Sequence, residues 1–107
     1  MAANASQAHL DEREAAIVRG EAHRVARRRA NERKLSTLRN AKDAEALVEF
    51  ECECMSDECD RQVKVPLYVY RRLVEARTQY LVQAAHHAFP RHRTIVSIGL
   101  TRIEERA

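Results

Sequence analysis

Three cysteines fall within eight residues of this chain, in the stretch Phe50-Glu51-Cys52-Glu53-Cys54-Met55-Ser56-Asp57-Glu58-Cys59-Asp60, and the sequence holds no others. An odd number of clustered thiols without an export signal argues for metal chemistry in a reducing compartment rather than a disulfide framework. Zinc takes four ligands in a tetrahedron. Cys52, Cys54 and Cys59 supply three, and His86 or His87 the fourth, 27 or 28 positions beyond Cys59 at the end of a strand-like segment. Only one of two neighbouring histidines faces a given side of a strand, so His86 is the first choice and His87 the backup. A backbone bend at Glu53 is expected to aim Cys52 and Cys54 at one ion, with Cys59 returning through Met55–Glu58.

Residues 49–60 carry six acids and no base. Carboxylates around thiols raise their pKa and suppress thiolate, whereas a dication deprotonates them outright. The segment is therefore expected to fold poorly without metal. Four rival readings stand beside structural zinc: small buried cysteines, a catalytic Cys–His pair, an iron–sulfur cluster with the same ligands, and a zinc site whose thiols sense oxidation. The acidic neighbours count against the catalytic pair, which needs a depressed thiol pKa beside a cation or a helix N-terminus.

The elements that position these residues follow from composition. At 107 residues, with two Phe, three Tyr and no Trp, the core is small, and a metal staple offsets chain entropy. Residues 11–46 hold no proline and one glycine, Gly20, and are rich in Ala, Arg and Glu, which predicts helix with a break or kink at Gly20. The apolar spacing 18, 22, 25 is helical but narrow, and Asn31 occupies a slot in the spacing 31, 35, 38. Val48 and Phe50 lead a strand into the cysteine block, and Gln62-Val63-Lys64-Val65 alternates as a half-buried strand does. Pro66 opens a helix bearing Leu67, Tyr70, Leu73 and Val74, Tyr80-Leu81-Val82 is a strand leading to His86, and Thr94–Ile103 is a final strand bent at Gly99. His9, His23 and His92 read as surface positions. The fold class is α+β: a helical, basic arm over residues 1–46, and a small zinc-stabilised domain over 47–107 with a few-stranded antiparallel sheet and one helix.

Phe50, Cys52, Glu53, Cys54 and Cys59 match F-x-C-E-C-x4-C, Val65-Pro66-Leu67 and Tyr70 fall on a following helical block, and Tyr80-Leu81-Val82 leads to His86. With Arg29-Ala30-Asn31-Glu32-Arg33 upstream, this pattern resembles a family of small uncharacterised actinobacterial proteins with a zinc-binding motif of this form. The resemblance covers residues 27–103. It implies a zinc domain with His86, rather than His87, as fourth ligand, and it implies no activity. Two departures stand out: Ala84-Ala85 replace a Pro-Gly before the histidine, and Pro66 replaces a helix-capping threonine.

The net charge of +3 is unevenly spread, with eight bases between residues 24 and 42 against the single acid Glu32. Arg24, Arg27, Arg28, Arg29, Arg33 and Lys34 are the residues that would contact nucleic acid or a ribonucleoprotein, with a strength that falls steeply with salt. No aromatic residue interleaves the run, which counts against single-strand stacking. The alternative is a protein-interaction or dimerisation adaptor that uses the apolar stripe of the arm. No phosphate, nucleotide or acyl-transfer motif is present, so a non-enzymatic, regulatory or binding role is expected. No run of about 18 apolar residues crosses a membrane and Met1–Leu10 lacks a secretory pattern, so a cytoplasmic protein is expected.

Overall fold

The computed structural model describes residues 2–56, 58–84, 86 and 92–106, of which 2–10 are described by backbone alone. His87, Phe89, Pro90 and the side chain of His9 lie outside the described residues. The elements in order are α1 (Ala2–Thr37), β1 (Leu47–Glu51), β2 (Gln62–Pro66), α2 (Leu67–Ala76), β3 (Gln79–Gln83), β4 (His92–Ile98) and β5 (Thr101–Arg106). The fold is α+β: an N-terminal helix, small antiparallel sheets and a second helix.

The 36 residues of α1 span about 54 Å at 1.5 Å per residue. Side chains 11–19 are exposed, and packing on the rest of the protein starts at Gly20. The expected break there is absent. Gly20 is buried because Met55 lies on it: a Cβ at this position would stand 2.7 Å from the Met55 carbonyl oxygen and 3.0 Å from its Cβ. Gly20→Ala, worth about 1 kcal/mol of stabilisation in a free helix, is therefore expected to destabilise the protein by about 1–3 kcal/mol through overpacking. Urea unfolding measures this, and a stabilised variant would contradict the close packing.

The helix also stops at Thr37 rather than Ala46. Tertiary demand overrides the propensity of residues 38–46, because the carbonyls of Ala44 and Ala46 accept the first-turn amides of α2, from Tyr68 at 2.9 Å and Leu67 at 3.0 Å. Those amides have no partner inside their own helix. Pro66 offers no side-chain cap, so the preceding loop does what a capping threonine would. At its other end α2 terminates at Arg77, in the left-handed region at φ 61°.

β1 and β2 form an antiparallel hairpin whose loop is the cysteine block, with Glu51 opposite Gln62. In β2, Val63 and Val65 point inward and Gln62 and Lys64 outward, as the alternation requires. The second sheet has the order β3-β5-β4. The expected single final strand is two: Ile98 pairs with Thr101, and Gly99 at φ 58° opens the two-residue loop. A positive φ at the first loop residue suits glycine and reverses the chain instead of bending it. The core lies between the sheets and α2, from Phe50, Val63, Val65, Leu67, Tyr70, Leu73, Leu81 and Ile103, with Leu35 of α1 and Leu38 just past its end against it. Phe50 and Tyr70 stack with ring centroids 4.1 Å apart. Among the described residues no helix is long and apolar enough to cross a membrane.

Candidate metal centre

The ladder of β1 and β2 extends one residue past Glu51, where the Cys52 amide donates to the Arg61 carbonyl at 3.0 Å. The next amide, of Glu53, leaves for the edge of β3 and donates to Leu81 at 2.7 Å. This segment stays extended, and the bend expected at Glu53 falls instead at Met55. No bend at Glu53 is needed, because residues two apart on an extended backbone share a face. Cys52 and Cys54 accordingly both pack with Val82 of β3, and Cys59 joins them. A turn after β3, held by the His86 amide on the Gln83 carbonyl at 3.1 Å, brings in His86. The Sγ atoms of Cys52, Cys54 and Cys59 and a ring nitrogen of His86 all lie within 4.8 Å of one another. Cys59 Sγ and His86 Nε2 are 3.3 Å apart, close to the roughly 3.5 Å that zinc bond lengths imply between tetrahedral sulfur and nitrogen ligands. Two buried soft donors, a third half-buried, and an imidazole form a set that fits a metal ion. No known family, curated protein or solved structure matches the chain. The site is therefore read from its own geometry.

The three thiols are not equivalent. A hydrogen bond from the Cys52 thiol draws Cys54 down to about 5, against the effect of burial. The same bond, together with burial, pushes Cys52 up. Donors surround the sulfurs as well: the Gln83 amide reaches Cys52 Sγ at 3.3 Å and Arg27 Nη1 reaches Cys54 Sγ at 3.4 Å.

The extended backbone turns Glu53 to the face opposite the cysteines. It is fully buried, and four donors meet its carboxylate. Oε1 accepts from the Leu81 amide at 2.9 Å, while Oε2 accepts from the Tyr70 hydroxyl at 2.6 Å and Asn31 Nδ2 at 3.1 Å and pairs with Arg28 Nε at 3.3 Å. Burial pushes this carboxyl up, and the Arg28 charge and the three other donors oppose that. Burial and the neighbouring Glu53 push the Tyr70 hydroxyl up in turn, keeping it a donor. Glu53 therefore ties α1, α2 and β3 to the backbone between two candidate metal ligands. Sequence reasoning counted it among the six acids around the thiols and missed the role. The available signal was Asn31, a polar residue in a slot where an apolar stripe should continue.

The helix face that meets the domain is 20, 24, 27, 31 and 34, a helical spacing filled mostly by polar side chains. Arg24, 1% exposed, donates to the Glu53 carbonyl at 2.8 Å and to Glu104 at 2.7 Å, and its Nη1 lies 2.9 Å from His92 Nε2. Its guanidinium also covers the Tyr80 ring at 4.0 Å. Arg27 binds the carbonyls of Cys54 and Cys59 at 2.9 and 2.6 Å. Arg28 reaches Gln79 as well as Glu53, and Lys34 reaches the Glu49 carbonyl. The Asn31 amide closes both backbone groups of Glu51, at 2.7 and 2.9 Å, as a neighbouring strand would. Of the six residues expected to contact nucleic acid, Arg24, Arg27 and Arg28 are thus turned inward, while Arg29, Arg33 and Lys34 are exposed. His92, expected at the surface, is half-buried beside Arg24.

Proposed function

We propose that this chain is a small non-enzymatic module, stabilised by one zinc ion on Cys52, Cys54, Cys59 and His86, that binds another protein or its own copy through its helical arm. Zinc is the metal favoured by three thiolates and an imidazole in tetrahedral array. Four protein ligands complete that tetrahedron and leave no position for a water or substrate, the pattern of structural rather than catalytic sites. The F-x-C-E-C-x4-C block remains part of the proposal as a likeness to the actinobacterial proteins. Phe50 in the core, Glu53 beneath the site and the four ligands give each of its named positions a physical reason.

The observation that carries the interaction reading is where polar and apolar side chains end up. Arg24, Arg27 and Arg28 of α1 are spent on contacts within the protein, whereas Ile17, Val18 and Val25 of the same helix stand exposed, Val18 by 65%. Aliphatic side chains left uncovered on a helix can serve as anchors of helix-in-groove or helix-to-helix pairing. A second reading, nucleic acid, rests on exposed Arg29, Arg33, Arg39 and Lys42. Light scattering and gel shifts separate the two. A dimeric mass that Val18→Glu with Val25→Glu reduces to a monomer supports the first. A monomer that shifts RNA or DNA in a salt-dependent manner supports the second.

A further inference from the structure

We infer that Arg27 is a positioning residue of the metal site, and that through it metal binding and docking of the middle of α1 are one event. This rests on the zinc reading above and assigns it a consequence outside the ligand set. Arg27 is the residue of α1 that spans the cluster. One nitrogen holds the Cys54 carbonyl and lies 3.4 Å from its sulfur, and the other holds the Cys59 carbonyl. Its planar fork thus fixes the two backbone segments that carry ligands on opposite sides of the loop. Three thiolates and a neutral imidazole around a dication leave one net negative charge, and a guanidinium on a ligand sulfur offsets it. Such outer contacts orient ligands and typically govern affinity 10–100-fold.

The rest of the helix interface points the same way. Gly20 lies on Met55, Arg24 holds the Glu53 carbonyl, Asn31 holds Glu51, and Arg28 and Asn31 hold the Glu53 side chain. Between residues 20 and 31 the helix rests on the loop whose shape the metal sets, and through Arg24 and Arg28 also on β3 and β5. Beyond residue 31 it rests on the apolar core through Leu35 instead. By linkage, whatever metal binding contributes to docking, docking contributes equally to metal binding.

Two measurements on the full chain test this. Zinc affinity by competition with a chelating dye is expected to fall 10–100-fold in Arg27→Gln, to recover in part in Arg27→Lys, and to stay unchanged in Arg33→Gln. In the cobalt-substituted protein Arg27→Gln is also expected to shift the sulfur-to-metal charge-transfer band, because N–H donation lowers electron density on the Cys54 sulfur. Hydrogen exchange of the wild type, which needs no variant to fold, is expected to show residues 20–31 losing protection on chelation while residues 35–37 keep theirs. Equal zinc affinity in Arg27→Gln, or equal protection of residues 20–31 with and without metal, overturns the inference and leaves the zinc site standing. A wild type that takes up no zinc overturns both.

Discussion

Chelation of the metal lowers the thermal midpoint of the protein by more than about 15 °C, and Cys52→Ser or Cys59→Ser does the same without chelator. The expected size follows from what the loop Cys52–Asp60 has besides metal. Its amides at Cys52 and Glu53 are bonded, but beyond Met55 it buries no large apolar side chain among the described residues. Without an ion, three thiols and a histidine crowd within 4.8 Å and return little energy. Structural zinc contributes about 10–16 kcal/mol in peptides that have no fold of their own. Here a separate apolar core around Phe50 and Tyr70 carries part of the stability, so a loss of at least about 4 kcal/mol is the expectation. At about 4–8 °C per kcal/mol for a domain near this size, that exceeds 15 °C. Calorimetry with and without a strong chelator measures it. Unchanged melting would show that the thiols are ordinary buried side chains.

Glu53→Gln costs about 3–5 kcal/mol, the loss that follows when one member of a buried ion pair is removed and its partner stays behind. Arg28 would keep its charge beside an amide, and the glutamine NH2 would face one of the donors that now converge on the carboxylate. Tyr70→Phe, which removes one donor to a charged acceptor, costs less, about 1.5–3 kcal/mol. Because both changes act at one carboxylate, their effects are not additive, and a double-mutant cycle in urea reads the coupling directly. Destabilisation by Glu53→Gln below about 1 kcal/mol, the scale of a surface substitution, would remove Glu53 from its place as the tie between helix and metal loop.

Much of the metal site is legible in the sequence because ligand chemistry is local: Cys52, Cys54 and Cys59 announce themselves by type, and His86 by its place after a strand. The strands β1, β2 and β3 and the helix α2 follow from alternation and apolar periodicity. The docking of α1 was not legible for a physical reason. Apolar periodicity finds the face that is apolar, and this helix packs with Gly20, Arg24, Arg27 and Asn31, polar or featureless positions whose partners are backbone groups and the buried carboxylates of Glu53 and Glu104. The same residues, counted as charges, suggested a phosphate-binding surface. Sequence carries the number of arginines but not the direction in which they point. Gly20 misled for a related reason, since a glycine required by a close neighbour looks the same as one that breaks a helix. Gly99 reads in the sequence as a bend within one strand rather than a turn between two, because β-rich residues on both sides fit one bent strand as well as two paired ones.

X-ray absorption at the zinc edge, on protein purified without added metal, tests the central claim most directly. A shell of three sulfurs near 2.3 Å and one nitrogen near 2.0–2.1 Å, at one ion per chain, is the predicted result, with one sulfur lost in Cys59→Ser and the nitrogen lost in His86→Ala. A protein without bound zinc, or a shell of oxygen and nitrogen alone, would contradict it.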